Sequence, residues 1–324
     1  MYDTIKLNKD FYSISGKSFT QVLEELDPTD GYKGTALENL DAFERQLKRF
    51  DIKVSGKNSD KVEKFFQNGE ASVLFPEYIR RTIKQGMEDA SIFGDIAASV
   101  AYIDSLDYRA FNTVVSSTAL TVDQSESIGI NEVTLSTPVK QMTKYARGLN
   151  FSYEAMRKQR LDSVGVMLRH LGAQLARKMN VDVVNGLKTG LTAATITGTS
   201  LTYNDLAGFW ASMTDCNMSA MIVSPAVLAK ILSISEMKNF SYDYVSANTV
   251  TTPFGITLVK CPGLSDDIAV GLDKSCALEV VFGSDLLIES DREIITQSSN
   301  ITASVLLGFT KLIANSVMLI KTSN

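Results

Sequence analysis

The sequence predicts an α+β fold organised around one long helix, and three observations lead there. Residues 152–187 carry apolar side chains at helical spacing almost without interruption. Residues 131–145 alternate apolar and polar with a period of two, the mark of a strand. From residue 201 onward, capped helical segments alternate with short apolar runs, an α/β pattern.

Residues 1–74 are polar and charge-balanced, with short helix signals. The strongest is TALENLDAFERQLKRF. There Thr35 and Glu38 have capping-box spacing, and Leu37, Leu40, Phe43, Leu47 and Phe50 recur every three or four residues. Asp41 with Arg45, and Glu44 with Lys48, stand at i,i+4 and support the helix from its flanks. The stripe has to be buried, either against its own domain or against a partner subunit. Residues 51–60, rich in Ser, Gly, Lys and Asn, read as a flexible joint.

In FPEYIRRTIKQGMEDASIFGDIA, Pro76 suits the first helical turn, and Ile79, Ile83 and Met87 line one face. Gly86 and Gly94 offer stopping points. A β texture follows, from about 97 to 146. In NEVTLSTPVKQMTKY the apolar Val133, Leu135, Val139 and Tyr145 alternate with Glu132, Thr134, Ser136, Lys140 and Lys144, which predicts a strand with one buried face. Pro138 assigns that strand to an edge or a bulge. Residues 111–122 can pair with it as a long hairpin whose polar tip lies near 124–129.

Ser152 can cap the long helix, with Glu154 well placed in its first turn. Leu161, Val164, Leu168, Leu171 and Leu175 form its stripe, and Gly186 is a plausible stop. Continuous from 153 to 185, it would be roughly 50 Å long. Gly165 and Gly172, seven apart, share a face and imply the close approach of another backbone.

LTYNDLAGFWASM starts a helix with Thr202 as cap and Asp205 three residues on, and MSAMIVS reads as a buried strand. Ser224 and Pro225 open the helix SPAVLAKILSI. Residues 239–253 read as a surface loop. ITLVK, DIAVGL and ALEVVF are strands, and closing strands follow from about 294.

The chain offers little for chemistry. It has 324 residues, with 32 Lys and Arg against 37 Asp and Glu, a net charge of −5 that disfavours gripping nucleic acid through its phosphates. Cys216, Cys261 and Cys276 are odd in number and scattered, so they read as buried thiols in a reducing compartment, with neither a zinc signature nor a disulfide framework. His170, the single histidine, stands beside Arg169 without a nucleophile or carboxylate at helical spacing, and reads as structural or surface. Asp266 and Asp267 read as solvated turn acids, and Trp210 as core. There is no phosphate-binding glycine loop and no nucleophile elbow. No catalytic residue, cofactor or metal is expected. The N-terminus lacks a signal-peptide core, and the most apolar stretch, SVLLGFTKLIANSVMLI, is interrupted by Lys311 and Asn315 and reads as strands.

Taken together, the order of elements is polar arm, F-P-E-Y-I helix, long hairpin, S-Y-E-A…L-D-S helix ending near D-V-V-N-G, α/β domain and closing strands. With VTLSTPVKQMTKYARGLNFSYEAMRKQRLDSVGVMLRHLGAQLARKMNVDVVNG, LTYNDLAGFWASM…MIVSPAVLAKIL and TPFGITLV, this order over about residues 75–324 resembles the major capsid proteins of tailed bacteriophages, the Hong Kong 97-like fold. The resemblance implies an N-terminal arm at 1–74, a P-domain N-terminal helix at 75–96 and an extended β-hairpin E-loop at 97–146. It further implies a P-domain spine helix at 147–200, an A-domain at 201–290, and closing strands at 291–324 returning to the P-domain. It also implies pentamers and hexamers of this chain closing into an icosahedral head in the host bacterial cytoplasm, around DNA bound without sequence specificity. Portal and scaffold or head-completion proteins would be its other partners, with no membrane. An encapsulin-like nanocompartment shell, which shares the fold but stores cargo enzymes, is the alternative, though its subunits usually lack such an arm.

In that family the E-loop lies over the adjacent subunit near its spine helix. Here Asp104, Asp107, Asp123 and Glu126, against Arg109 alone, give residues 104–130 a net charge of −3. Residues 152–187, which include Arg157, Lys158 and Arg160, carry +3. Two readings follow: the acidic loop docks on the basic start of a neighbour's helix, or both are independently solvated faces. The arm stripe Leu37, Leu40, Phe43, Leu47 and Phe50 is a second candidate contact. The fold's founding member cross-links an E-loop lysine to a neighbour's asparagine. Residues 104–130 contain no lysine, so no such cross-link is expected.

Overall fold

The computed structural model describes residues 2–323 apart from 15, 115–120, 131, 137–138, 245–249 and 266; the side chains of 112–114, 240–244 and 314 are likewise outside it. Pro138, Asp266 and the middle of the expected 111–122 strand therefore lie outside the described residues. The chain divides into two compact units. The first gathers Met1–Ala90, Ala146–Leu175 and Leu286–Ser304, and the second Ser91–Tyr145, Ala176–Asp285 and Val305–Asn324. The helix Leu161–Lys188 and the strand Ser298–Lys311 contribute to both.

In the first unit, the helix Phe75–Ala90 packs on the first half of the long helix. The two backbones meet at glycines. A Cβ at Gly172 would lie 2.0 Å from the carbonyl oxygen of Ile83, and one at Gly86 2.1 Å from that of Arg169. The close approach read from Gly172 is there. At Gly165 the neighbour is a side chain, the Tyr78 hydroxyl, 3.1 Å from the Cβ position. Tyr78 donates to the Leu161 carbonyl at 2.7 Å, and burial pushes its phenol up to about 12. Gly86 does not stop its helix, which runs on to Ala90.

The long helix is shorter than the sequence suggests. Ser152 caps a separate turn, Tyr153–Lys158, and Gln159 is extended (ψ 150°) before Leu161–Lys188 begins. Residues 60–62 cause the break. Lys61 and Arg160 form an antiparallel bridge, the amide of Val62 donates to Gln159, and that of Leu161 donates to Asp60. At 1.5 Å per residue the remaining 28 residues span roughly 42 Å. They pass Gly186 and end before Gly190, whose φ of +78° only glycine adopts freely.

Residues 51–60 are not a free joint. The Asp60 amide donates to the Lys53 carbonyl, and the Lys53 amide donates to the Asp60 carboxylate. The arm helix begins later than expected, at Ala42, because the capping box is Asp41 with Glu44 and not Thr35 with Glu38. Leu287–Glu293 pairs antiparallel with Ser298–Ser304 and completes this unit's strands.

In the second unit, a six-stranded sheet runs Ala193–Ala194, Val317–Lys321, Ile268–Leu272, Ala220–Val223, Thr257–Lys260 and Val250–Thr251. Its core gathers Phe209, Met221, Val227, Ile231, Ile256 and Ile320. The caps are those expected: Thr202 with Asp205 opens Tyr203–Ala211, and Ser224 with Pro225 opens Pro225–Ser233. Hydrogen bonds from the Thr202 hydroxyl, with those from Thr197, hold Asp205 down at about 2. The expected loop at 239–253 begins instead as helix, Ser235–Tyr244. Trp210 is 42% exposed and stacks on Phe254, so it is not core. Ser99–Tyr102 runs parallel to Leu278–Phe282, which pairs antiparallel with the end of Ser298–Lys311.

Candidate assembly surfaces

The expected hairpin exists within the second unit. Phe111–Val114 pairs antiparallel with Glu132–Leu135, in the register Phe111 to Leu135 and Thr113 to Val133. Below it Asp107–Tyr108 pairs with Lys140–Gln141. That base is anchored: Tyr108 is buried, its hydroxyl lies 2.7 Å from that of Thr310, and its ring fills the space a Cβ at Gly308 would need. Tyr145 is buried as well, and burial, with Asp182 beside it, raises its phenol.

Beyond the base most of the hairpin's described apolar residues are exposed. The expected strand is described as Glu132–Leu135, Lys140–Gln141 and Thr143–Ser152, and of its apolar face Tyr145 is buried while Val133 and Leu135 are exposed. By alternation Phe111, Val133 and Leu135 share one face, and they are 56, 59 and 53% exposed. Ile128 and Ile130, towards the tip, are also exposed, so the tip is less polar than the sequence suggests. Asp104 and Asp107 are exposed, and the Ser105 hydroxyl donates to Asp107. Asp123 and Glu126 close a turn through the backbone bond from Glu126 to Asp123 and the positive φ of Ser125.

The three bases proposed to receive this loop separate. Arg157 and Lys158 are exposed in the last turn of Tyr153–Lys158. Arg160, though exposed, is committed to its own chain: it donates to the Ser59 hydroxyl and the Gly56 carbonyl at 3.2 Å, and to the Lys57 carbonyl. Arg157 also borders a groove of about 700 Å³ in the first unit, whose apolar wall includes Phe66, Phe75, Ile79 and Met156.

The arm stripe is mostly spent internally. Phe43 and Leu47 are buried within the first unit, and Leu37, Leu40 and Phe50 are half-buried. Its ion pairs differ from the i,i+4 expectation. Arg45 is fully buried and pairs with Asp27 at 2.6 Å, while Asp41 takes Arg81 at 2.5 Å. Arg45 also donates to the Leu40 carbonyl at 2.6 Å and lies over the Tyr32 ring.

A family model described as phage capsid protein matches residues 136–303, just over half of the chain. The chain belongs to the phage capsid protein family. The matched span of the capsid protein starts in the returning limb of the hairpin and includes the long helix and most of the six-stranded sheet. Several solved structures share its fold, the Hong Kong 97-like one. A native GTA particle capsid aligns with a TM-score of 0.55 at 10% identity, over 75% of this chain and 91% of that one. A virus-like particle from Pyrococcus furiosus gives 0.53 at 12% identity, over 76% and 98%. The capsid protein also matches a structure from Microbacterium phage Oxtober96, with a TM-score of 0.53 and 11% identity over 72% and 91%. A comparison with curated protein sequences found no match.

The capsid protein's titratable groups hold one arrangement that its sequence hid. Cys216 and Cys276, sixty positions apart, bring their sulfurs to 3.8 Å, with Asp273 beside them. Burial, with Cys216 and Asp273 as neighbours, pushes the Cys276 thiol up to about 11. Neither is as buried as expected; of the three thiols only Cys261 is fully enclosed. His170 is exposed on the long helix, 2.9 Å from the Gln174 amide, as a surface histidine. No helix is long and apolar enough to cross a membrane among the described residues.

Proposed function

We propose that this major capsid protein builds a closed icosahedral shell from pentamers and hexamers, enclosing the DNA of a tailed phage, and that its hairpin supplies the contact between neighbouring copies. One observation carries the reading: an apolar hairpin face of Phe111, Val133 and Leu135 that the described residues of its own chain leave uncovered. A two-stranded hairpin is marginal alone in water, and contiguous exposed apolar surface marks an interaction site. A sibling's groove beside Arg157 offers apolar wall and positive charge together, which suits a strand pair flanked by Asp104, Asp107, Asp123 and Glu126. Arg157 and Lys158 are the receiving charges; Arg160 instead holds residues 56–59 in place. The segments 1–74, 75–96, 97–146, 147–200, 201–290 and 291–324 then act as arm, P-domain helix, E-loop, spine, A-domain and closing strands. Assembly takes place in the bacterial host cytoplasm, with portal and scaffold or head-completion proteins joining it. The encapsulin-like alternative finds a likeness in the Pyrococcus particle, but the phage family model favours the head.

Electron microscopy of the purified chain should show closed particles, tubes or rings, and Leu135→Asp should leave dispersed, folded subunits. A chain that stays monomeric at high concentration overturns the reading. Reversing Arg157 and Lys158 should slow assembly, and reversing the four loop acids with them should restore it; no recovery in the combined variant removes the charge pairing. Boiled in denaturant, assembled shells should release a single species at 35.4 kDa, since no lysine lies within 104–130.

A further inference from the structure

In the second unit, away from the hairpin, three side chains with metal-ligand atoms converge at one end of the six-stranded sheet. Cys216 lies in the segment between Tyr203–Ala211 and Ala220–Val223, and Asp273 and Cys276 lie in the turn after Ile268–Leu272. Their ligand atoms all fall within 4.8 Å of one another.

The two thiols are in hydrogen-bond contact, Cys276 to Cys216, and their spacing also fits one use of a cysteine pair better than another. A disulfide requires an S–S distance of about 2.05 Å. A tetrahedral metal with metal–sulfur bonds of about 2.3 Å places two sulfurs about 3.8 Å apart, the edge of the tetrahedron. The two sulfurs stand at 3.8 Å.

Asp273 is built as a third ligand. It is 9% exposed, and its carboxylate is oriented by three donors: Oδ1 accepts from the Ser275 amide at 2.9 Å and hydroxyl at 2.7 Å, and Oδ2 from the Asn217 amide at 3.0 Å. A carboxylate oxygen has two acceptor positions, so Oδ2 keeps one beyond the Asn217 bond. Such outer hydrogen bonds are what fix a ligating carboxylate in place.

We propose that Cys216, Cys276 and Asp273 bind one thiophilic divalent cation of the zinc class, the fourth corner being left to water. Two thiolates and a carboxylate select zinc or cadmium over magnesium or calcium, which prefer all-oxygen sites. Cys216 and Cys276 are each partly exposed, which gives the ion a way in and water a place at the fourth corner. Bound there, the cation ties the segment before Ala220–Val223 to the turn after Ile268–Leu272. The thiol protons it displaces go to the buffer.

The full chain, reduced and stripped of metal, should take up one equivalent of cobalt(II), with thiolate-to-cobalt charge-transfer absorption and the visible bands of a tetrahedral ion. Zinc should displace the cobalt, and magnesium should not. Cys216→Ser and Cys276→Ser should each lose about half or more of the charge-transfer intensity, since each removes one of two thiolates. Ser275→Ala, which deletes a donor to Asp273, should weaken binding by about 10–100-fold with the band shape kept. On the unaltered chain, zinc should protect Cys216 and Cys276 from alkylation in peptide maps, a readout that needs no variant to fold. Absence of the band at one equivalent, an unchanged band in both serine variants, equal alkylation with and without zinc, or a Cys216–Cys276 disulfide with no metal uptake would each overturn the proposal.

Discussion

The arm and the hairpin both carry apolar residues at regular spacing, yet the first is closed on its own chain and the second is open. In the arm, Phe43 and Leu47 sit inside the first unit, and fully buried Arg45 finds an ion pair, two carbonyls and an aromatic face there. In the hairpin, Phe111, Val133 and Leu135 meet nothing comparable. The difference teaches that periodicity reports a face that must be covered, but not which copy of the chain covers it. Buried polar groups are more informative. A guanidinium satisfied on every side within its own chain marks a finished core, and a strand pair with polar and apolar sides both in water marks an unfinished one.

The contrast can be broken at several points. Arg45→Ala should have the largest effect, costing the unassembled subunit about 3–5 kcal/mol in denaturant melts, because Asp27 would stay buried without its partner. If the arm were an inter-subunit element, the loss would show only in assembled shells. Gly172→Ala should cost about 1–3 kcal/mol despite the better helix propensity of alanine, since its Cβ has to push the Ile83 carbonyl away. Leu135→Ala, by contrast, should shift subunit stability by no more than about 0.5 kcal/mol while particle yield falls, as for any exposed position whose partner is elsewhere. A melt shifted as far as that of Arg45→Ala would place Leu135 in a covered core.

The smallest effect is one of pH. Asp205 is held at about 2 in the folded chain against an ordinary 3.8, by bonds from Thr202 and Thr197. A depressed carboxylate stabilises fully above its unfolded value and loses that contribution as the pH falls through the folded one. Melting of the second unit should therefore weaken between about pH 4 and 2, and Asp205→Asn should flatten that dependence.

Much of the second unit was legible in the sequence because its signals are local. Thr202, Ser224 and Ser152 each cap a helix by accepting from the amide three residues on. The contact at Gly172 was legible too, since a glycine in the interior of a helix has a steric reason. What failed depended on distant partners. The helix breaks at Gln159 where Lys61 bridges the backbone of Arg160, and the neighbouring residues 56–59 take the Arg160 side chain away from the basic docking surface. The arm helix is capped by Asp41 and not by Thr35, as Asp41 accepts from the Glu44 amide while also holding Arg81 from another helix. The strand at 132–135 alternates as a half-buried strand does, but alternation cannot say that the covering layer is missing. Cys216 and Cys276 meet only because the sheet order places the ends of Ala220–Val223 and Ile268–Leu272 side by side.

The naked hairpin has a cost before any shell exists. Every newly synthesised copy carries an adhesive, water-exposed strand pair with free edges, the kind of surface that invites promiscuous pairing. If the hairpin docks on a sibling as proposed, each new copy faces a race between correct pairing and tangling. Its outcome would then turn on how quickly each copy meets the next one, so the rate of synthesis would weigh on yield alongside the stability of the fold.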